Sequence, residues 1–148
     1  MIRFTCPSVT IEAAPGEDSR VVSGVAVPYN EVATVSDGTQ VRFAPGSLPT
    51  DGKAPKLFMY HDSAMAVGVV TDRVETDAGM LFSAKISRTA LGNDALQLAL
   101  DGVLDSVSVG VDPVEYTVEA ATGVITVTKG NWLELSLVPI PAFAGATI

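Results

Sequence analysis

Val103-Leu104-Asp105-Ser106-Val107-Ser108-Val109-Gly110-Val111 is the stretch whose reading decides the fold. In an extended chain successive side chains point to opposite faces. Val107, Val109 and Val111 therefore share one face, and Ser106, Ser108 and Gly110 share the other. β-Branched residues at a period of two predict a strand with its valines toward a core and its small polar residues outward. The same reading of Trp132-Leu133-Glu134-Leu135-Ser136-Leu137-Val138 puts Leu133, Leu135 and Leu137 on one face and Trp132, Glu134 and Ser136 on the other. Ser108 and Glu134 are both expected on the outside of the sheet.

Outward from these two segments, short runs rich in Val, Thr and Ile recur between Gly, Pro, Asp and Asn, the spacing of an antiparallel barrel or sandwich. Strands are predicted near 2–5, 8–13, 20–28, 39–43, 55–61, 66–75, 79–87, 103–111, 114–119, 124–128 and 131–138. Glu75-Thr76-Asp77-Ala78-Gly79 and Glu119-Ala120-Ala121-Thr122-Gly123 read as hairpin turns. One segment has helical spacing, Thr89 to Asp101, with Leu91, Ala95 and Leu98 recurring. Ser87 or Thr89 would cap it and Gly102 would end it. A mainly β domain with one crossing helix is expected.

A chain of 148 residues suits a single domain spanning 1–148. A net charge of −8 argues against a nucleic-acid backbone or an anionic membrane as partner, since both demand clustered Lys and Arg. The lone Cys6 has no second cysteine to pair with and is expected as a reduced thiol. Met1-Ile2-Arg3-Phe4-Thr5-Cys6-Pro7 does not read as a secretory signal, and no apolar run approaches the roughly 18–20 residues that span a bilayer. A cytoplasmic protein, or one acting inside something built in the cytoplasm, is expected. Gly46 and Gly52 are isolated and open no phosphate-binding loop, and no cofactor or metal is implied. Trp132, Met59, Met65 and Met80 read as packing residues.

A serine hydroxyl becomes a useful nucleophile when a neighbouring base takes its proton, and imidazole is the side chain suited to that near neutrality. His61 is the sole histidine, so in a Ser–His enzyme the base is fixed by count. It closes Lys56-Leu57-Phe58-Met59-Tyr60-His61-Asp62, where an apolar run meets a polar turn. Taken alone it reads as a surface residue at a strand end.

Several segments in order resemble the tailed-phage prohead (capsid maturation) proteases, relatives of the herpesvirus assemblin serine proteases. Ser23-Gly24-Val25-Ala26-Val27-Pro28-Tyr29 resembles the opening strand, and Val41-Arg42-Phe43-Ala44-Pro45-Gly46-Ser47-Leu48 the stretch that follows it. Tyr60-His61-Asp62 with Val67-Gly68-Val69-Val70 resembles the histidine motif. Ser106-Val107-Ser108-Val109-Gly110-Val111 is similar to the nucleophile motif, and Leu133-Glu134-Leu135-Ser136-Leu137-Val138-Pro139-Ile140-Pro141-Ala142 to the closing one.

The resemblance implies a closed antiparallel β-barrel with peripheral helices. It also implies a serine endopeptidase that cleaves capsid-protein scaffolding segments, and itself, inside the assembling procapsid in the host cytoplasm. Its partners would be the major capsid protein precursor and scaffold segments, and a homo-oligomer is compatible with it. Ser108 would be the nucleophile and His61 its base; Ser106 shares the face of Ser108, and only motif position separates them. Gly110, on that face too, would leave a substrate backbone room to approach or mark close packing.

The herpesvirus relatives are understood to use a second histidine, which this chain lacks, so a carboxylate would orient His61. Glu134 is the choice, on the outer face of the final motif strand. Asp62 would point away from the His61 face in a regular strand, and Asp112 lies roughly 13 Å from Ser108 along an extended strand. The rival from a different class is a non-catalytic β-barrel structural or decoration protein of a virion, distinguished by whether His61, Ser108 and a carboxylate converge.

Overall fold

The computed structural model describes residues 2–5, 12–13, 20–35 and 37–139. Cys6, the Pro141-Ala142 pair and most of the strand expected at 8–13 lie outside them. The elements are β1 (Ile2–Thr5), β2 (Glu12–Ala13), β3 (Val21–Pro28), β4 (Ala33–Thr34), β5 (Gln40–Phe43), β6 (Lys56–Met59), β7 (Asp62–Glu75), β8 (Gly79–Ile86), α1 (Ala90–Leu100), β9 (Ser106–Val118) and β10 (Ile125–Val138).

Among the described residues the strands form one ten-stranded sheet in the order β1-β9-β10-β6-β7-β8-β3-β2, with β5 on β10 and β4 on β5. This corrects the closed antiparallel barrel expected from the sequence: the sheet is a strongly curled half-barrel, open between β1 and β2. Nor is it wholly antiparallel, because β10 runs parallel to β5 through Ile125–Val127 and parallel to β6 through Glu134–Leu137. A two-residue period is the same in an open and a closed sheet, so alternation cannot tell them apart. Closure demands hydrogen bonds between the two end strands, and among the described residues β1 pairs with β9 alone and β2 with β3 alone. The curl comes from bulges, at Val25/Val27 between β3 and β8, Val70/Asp72 between β7 and β8, and Trp132/Glu134 between β10 and β9, each of which bends its strand and tightens the twist.

Two pairs of expected strands are fused. The runs 103–111 and 114–119 are one strand, β9, and 124–128 and 131–138 are one strand, β10. The turn-forming residues between them lie opposite one another, Asp112 against Asn131 and Pro113 against Gly130. The irregularity on each strand is matched by its partner, so the ladder bends without ending.

The bulge beside Leu133 also overturns one assignment of faces. With an extra residue there, Trp132 pairs with Val111 while Glu134 pairs with Gly110. Trp132 thereby joins Leu135 and Leu137 on the core face and is 4% exposed, whereas Leu133 is 42% exposed. Glu134 and Ser136 keep the face of Ser108, as expected. That face is not the outside of the molecule, however: Ser108 and Glu134 are 0% and 4% exposed, covered by the turn that follows β6.

Helix α1 forms where its spacing predicts. Thr89 caps it, its Oγ1 accepting from Gly92 N–H at 2.9 Å. Gly102, at φ +75°, closes it: its N–H donates to Ala99 O, and Val103 N–H donates to Leu98 O at 2.8 Å. That pair of bonds is a Schellman motif, which needs the left-handed residue glycine supplies. Gly92 serves a different end. A Cβ there would stand 2.0 Å from Ser87 O, so only glycine lets the helix lie this close to the end of β8.

The Glu75–Gly79 hairpin forms as read, Thr76 N–H donating to Gly79 O at 3.0 Å. It delivers Glu75 to the buried Tyr29, whose phenol donates to the Glu75 carboxylate, which also accepts from Gly46 N–H. Burial first, then the hydrogen bond and charge of Glu75, push the Tyr29 phenol well above its ordinary value. The fold favours the neutral phenol, so this contribution to stability is complete below about pH 10 and is lost as pH rises toward the folded-state value. Tyr29→Phe has no such proton to lose. Its melting temperature should be lower than wild type at pH 8, by the equivalent of about 1 kcal/mol. It should then fall less steeply than wild type above about pH 10, a comparison made by calorimetric scans across that range.

Candidate active site

Three neighbouring strands, β9, β10 and β6, carry the expected residues to one place. Ser108 on β9 stands directly opposite Ser136 on β10, and Glu134 stands opposite Gly110. On the other side of β10, Met59 at the end of β6 pairs with Leu137. The chain then turns through Tyr60 and His61 and starts β7 at Asp62, which pairs back with Met59.

His61 therefore sits in a two-residue hairpin loop and not on the strand expected at 55–61. Tyr60 and His61 have φ of +57° and +58°, the positive φ at both central positions that a type I′ turn requires. Asn and Gly usually fill such positions, and for other L-residues the left-handed conformation costs roughly 1–2 kcal/mol each. Two backbone bonds hold the turn down on β10: Tyr60 N–H donates to Leu137 O at 3.2 Å, and His61 N–H donates to Ser136 Oγ at 2.9 Å. Strain of this kind persists where the surroundings over-determine it, and here it swings the imidazole across β10 toward β9.

The imidazole spans the gap. Its Nε2 lies 2.7 Å from Ser108 Oγ, and its Nδ1 is hydrogen-bonded to Glu134 Oε1. Ser136 Oγ donates to Glu134 Oε2 at 2.8 Å, so both carboxylate oxygens are engaged and the group cannot rotate freely. Trp132 Nε1 adds a bond to the Glu134 carbonyl at 3.0 Å, locking the backbone beside the bulge.

The two hydrogen bonds of the ring bear on its tautomer. Glu134 is an acceptor, so Nδ1 carries the hydrogen and donates. Nε2 is then left with its lone pair toward the Ser108 hydroxyl, the arrangement a serine needs to lose its proton on attack.

The alternatives weighed in the sequence fall elsewhere. Ser106 Oγ donates to Asp105 Oδ1 at 3.1 Å. Asp62 is exposed and its Oδ1 accepts from Ala64 N–H at 2.9 Å, bracing the start of β7. Asp112 is exposed and stands opposite Asn131, beyond the bulge. Ser136 is the residue the sequence reading passed over as a site residue, although its position two after Glu134 on the same face was a usable signal. Among the described residues no group of three or more His, Cys, Asp or Glu is placed to hold a metal ion, and no helix is long and apolar enough to cross a membrane.

Comparison with known proteins bears on the family and the fold. The sequence model for the caudovirus prohead serine proteases matches residues 8–148. Among solved structures, the bacteriophage T4 capsid assembly protease, gp21, is similar in fold, with a TM-score of 0.56 at 11% identity. That alignment covers 94% of this chain and 99% of the T4 chain. No curated protein matches the sequence.

Proposed function

The chain belongs to the caudovirus prohead serine protease family, and from that premise we propose that Ser108, His61 and Glu134 are its catalytic triad and that it cleaves scaffolding segments of the capsid-protein precursor, and itself, inside the maturing procapsid. The single observation that carries the reading is the imidazole held between Ser108 Oγ and the Glu134 carboxylate. A lone histidine at a strained turn, aimed at a hydroxyl and backed by a fully engaged carboxylate, is costly to build for packing alone.

In this reading the Ser108 oxygen attacks the scissile carbonyl as its proton passes to His61 Nε2. The imidazolium, stabilised by Glu134, returns that proton to the leaving amine as the peptide C–N bond breaks. Water then enters, gives a proton to Nε2 and hydrolyses the acyl ester, restoring the serine.

Co-expression with the major capsid protein precursor of the same virus tests the proposal. Wild type should shorten the precursor at a defined site found by mass spectrometry. An uncut precursor in the presence of folded wild type would favour the decoration-protein reading. Ser136 acts here through its neighbours, as a positioning residue. Ser136→Ala removes the anchor of His61 N–H and one donor to Glu134, so kcat should drop about tenfold, the equivalent of one hydrogen bond to a charged group. KM should stay within about twofold, because no substrate contact is removed; steady-state kinetics on one peptide separates the two.

A further inference from the structure

The face of the sheet that carries Ser108, Glu134 and Ser136 also carries a row of cations. Arg3 on β1 stands opposite Gly110 on β9, and Gly110 opposite Glu134 on β10. Glu134 lies beside Lys56 on β6, Lys56 opposite Val69 on β7, and Val69 opposite Lys85 on β8. Residues paired directly across a ladder project to the same face. Arg3, Lys56 and Lys85 therefore share the face of the Ser108, His61 and Glu134 cluster, and all three are exposed, while their strand neighbours Leu57, Ala84 and Ile86 are buried in the core. We propose that this row is the substrate-docking surface of the protease and takes an acidic peptide segment, with Asp or Glu on both sides of the scissile bond. The inference rests on the catalytic reading above and adds the chemistry of what is bound.

Position argues for it first. Neighbouring strands lie about 4.8 Å apart, so Arg3 and Lys56, three strands from one another, stand about 14 Å apart across the face. That is the span of about four residues of extended peptide. Glu134 lies between the two cations, and Ser108 is one step to the side, two residues along β9 from Gly110, about 7 Å away. Long side chains reach such diagonal neighbours. The imidazole bridges Ser108 and Glu134, so a peptide held at Arg3 and at Lys56 is drawn across the reacting atoms.

Charge selects the occupant. Among the described residues the ion pairs are Arg42 with Glu119 and His61 with Glu134, so none of the three cations is paired. Glu134, the one carboxylate in the row, is engaged by His61 and Ser136. The chain has nine Lys and Arg against seventeen Asp and Glu, and three of those nine fall in this single row. A peptide carrying carboxylates meets complementary charge here and like charge over much of the remaining surface, which fixes where it docks. A basic peptide would face the cations at the cluster itself. Three cations are too few to hold a nucleic-acid backbone against a net charge of −8.

The test uses a random-sequence peptide library in two arms. In the first, wild type cuts the library and mass spectrometry reads the residues around each cut. Asp and Glu should be enriched on both sides of the cut, at positions about four residues apart. Arg3→Glu should turn the preference toward Lys and Arg on one side only, Lys56→Glu on the other side only, and Arg3→Lys should keep the wild-type pattern. Each cation should contribute about twofold to fivefold in enrichment, the size of an exposed ion pair, and the enrichment should fade in about 1 M salt. Cuts without an acidic preference, or a preference that neither Arg3→Glu nor Lys56→Glu moves, would overturn the docking surface. In the second arm, immobilised Ser108→Ala captures peptides without cutting them. It should retain acidic peptides, and Ser108→Ala combined with Arg3→Glu and Lys56→Glu should not. Capture of acidic peptides by Ser108→Ala while wild type cuts nothing would sink the catalytic reading and leave the docking surface standing; equal capture by the combined variant would sink the docking surface whatever wild type cuts.

Discussion

Ser108→Ala should give a folded protein that leaves the capsid precursor intact, with turnover reduced roughly 10⁴-fold or more, the scale on which loss of a serine nucleophile is felt. The chemistry leaves no substitute. Ser136 is the nearest other hydroxyl on the face, but its hydrogen is donated to Glu134 and its oxygen accepts from His61 N–H. Ser106 is bonded to Asp105 on the preceding residue. The hydroxyl bonded to Nε2 is that of Ser108. The fold should survive. Ser108 is fully buried, so its removal leaves a small void and one imidazole nitrogen without its partner. A missing hydrogen bond of this kind costs about 1 kcal/mol, a shift of a few degrees in melting temperature for a domain of this size. Cleavage at the wild-type rate by a folded Ser108→Ala protein would remove the nucleophile assignment, and melting curves taken alongside distinguish that from unfolding.

How much of this was legible in the residues depends on which physical signal each feature leaves. Helix α1 was readable because its cap, its apolar spacing and its terminating glycine all point to one segment, and the structure ends it at Leu100, next to the expected boundary. The shared face of Ser108, Glu134 and Ser136 was readable because the bulge falls before Glu134 and leaves the register downstream intact. Trp132 and Leu133 were misplaced for the same reason: they lie on the far side of or within the extra residue, which no period-two count can foresee. The His61 turn was hidden because Tyr and His are poor left-handed residues. A tight turn there contradicts local propensity, and such contradictions concentrate at functional sites. The openness of the sheet leaves no local trace at all, since it depends on whether β1 and β2 meet.

Glu134→Gln should lower single-turnover cleavage by about 10³- to 10⁴-fold, while Asp62→Asn and Asp112→Asn stay near wild type. In another protease with a Ser-His-Asp triad, the acid-to-amide change costs roughly 10⁴-fold because the imidazole adopts the wrong tautomer. The neighbours of Glu134 say which way the amide would settle. Ser136 Oγ accepts from His61 N–H and gives its own hydrogen to Glu134, and only an oxygen at that position lets it keep both bonds. A glutamine would turn its carbonyl toward Ser136 and its NH₂ toward Nδ1. Nδ1 would then have to accept, the ring hydrogen would move to Nε2, and Nε2 could only donate to Ser108. The base would be lost although every hydrogen bond is kept. It follows that the defect depends on Ser136. In Glu134→Gln/Ser136→Ala the amide is free to flip its oxygen toward Nδ1, which restores the productive tautomer without restoring the charge. The double variant should therefore cleave faster than Glu134→Gln alone, although Ser136→Ala by itself slows the enzyme, a reversal of sign that a double-mutant cycle reads directly. Wild-type turnover by Glu134→Gln would reduce the machinery to a Ser–His dyad, and a double variant slower than both singles would show that Glu134 acts through its charge alone.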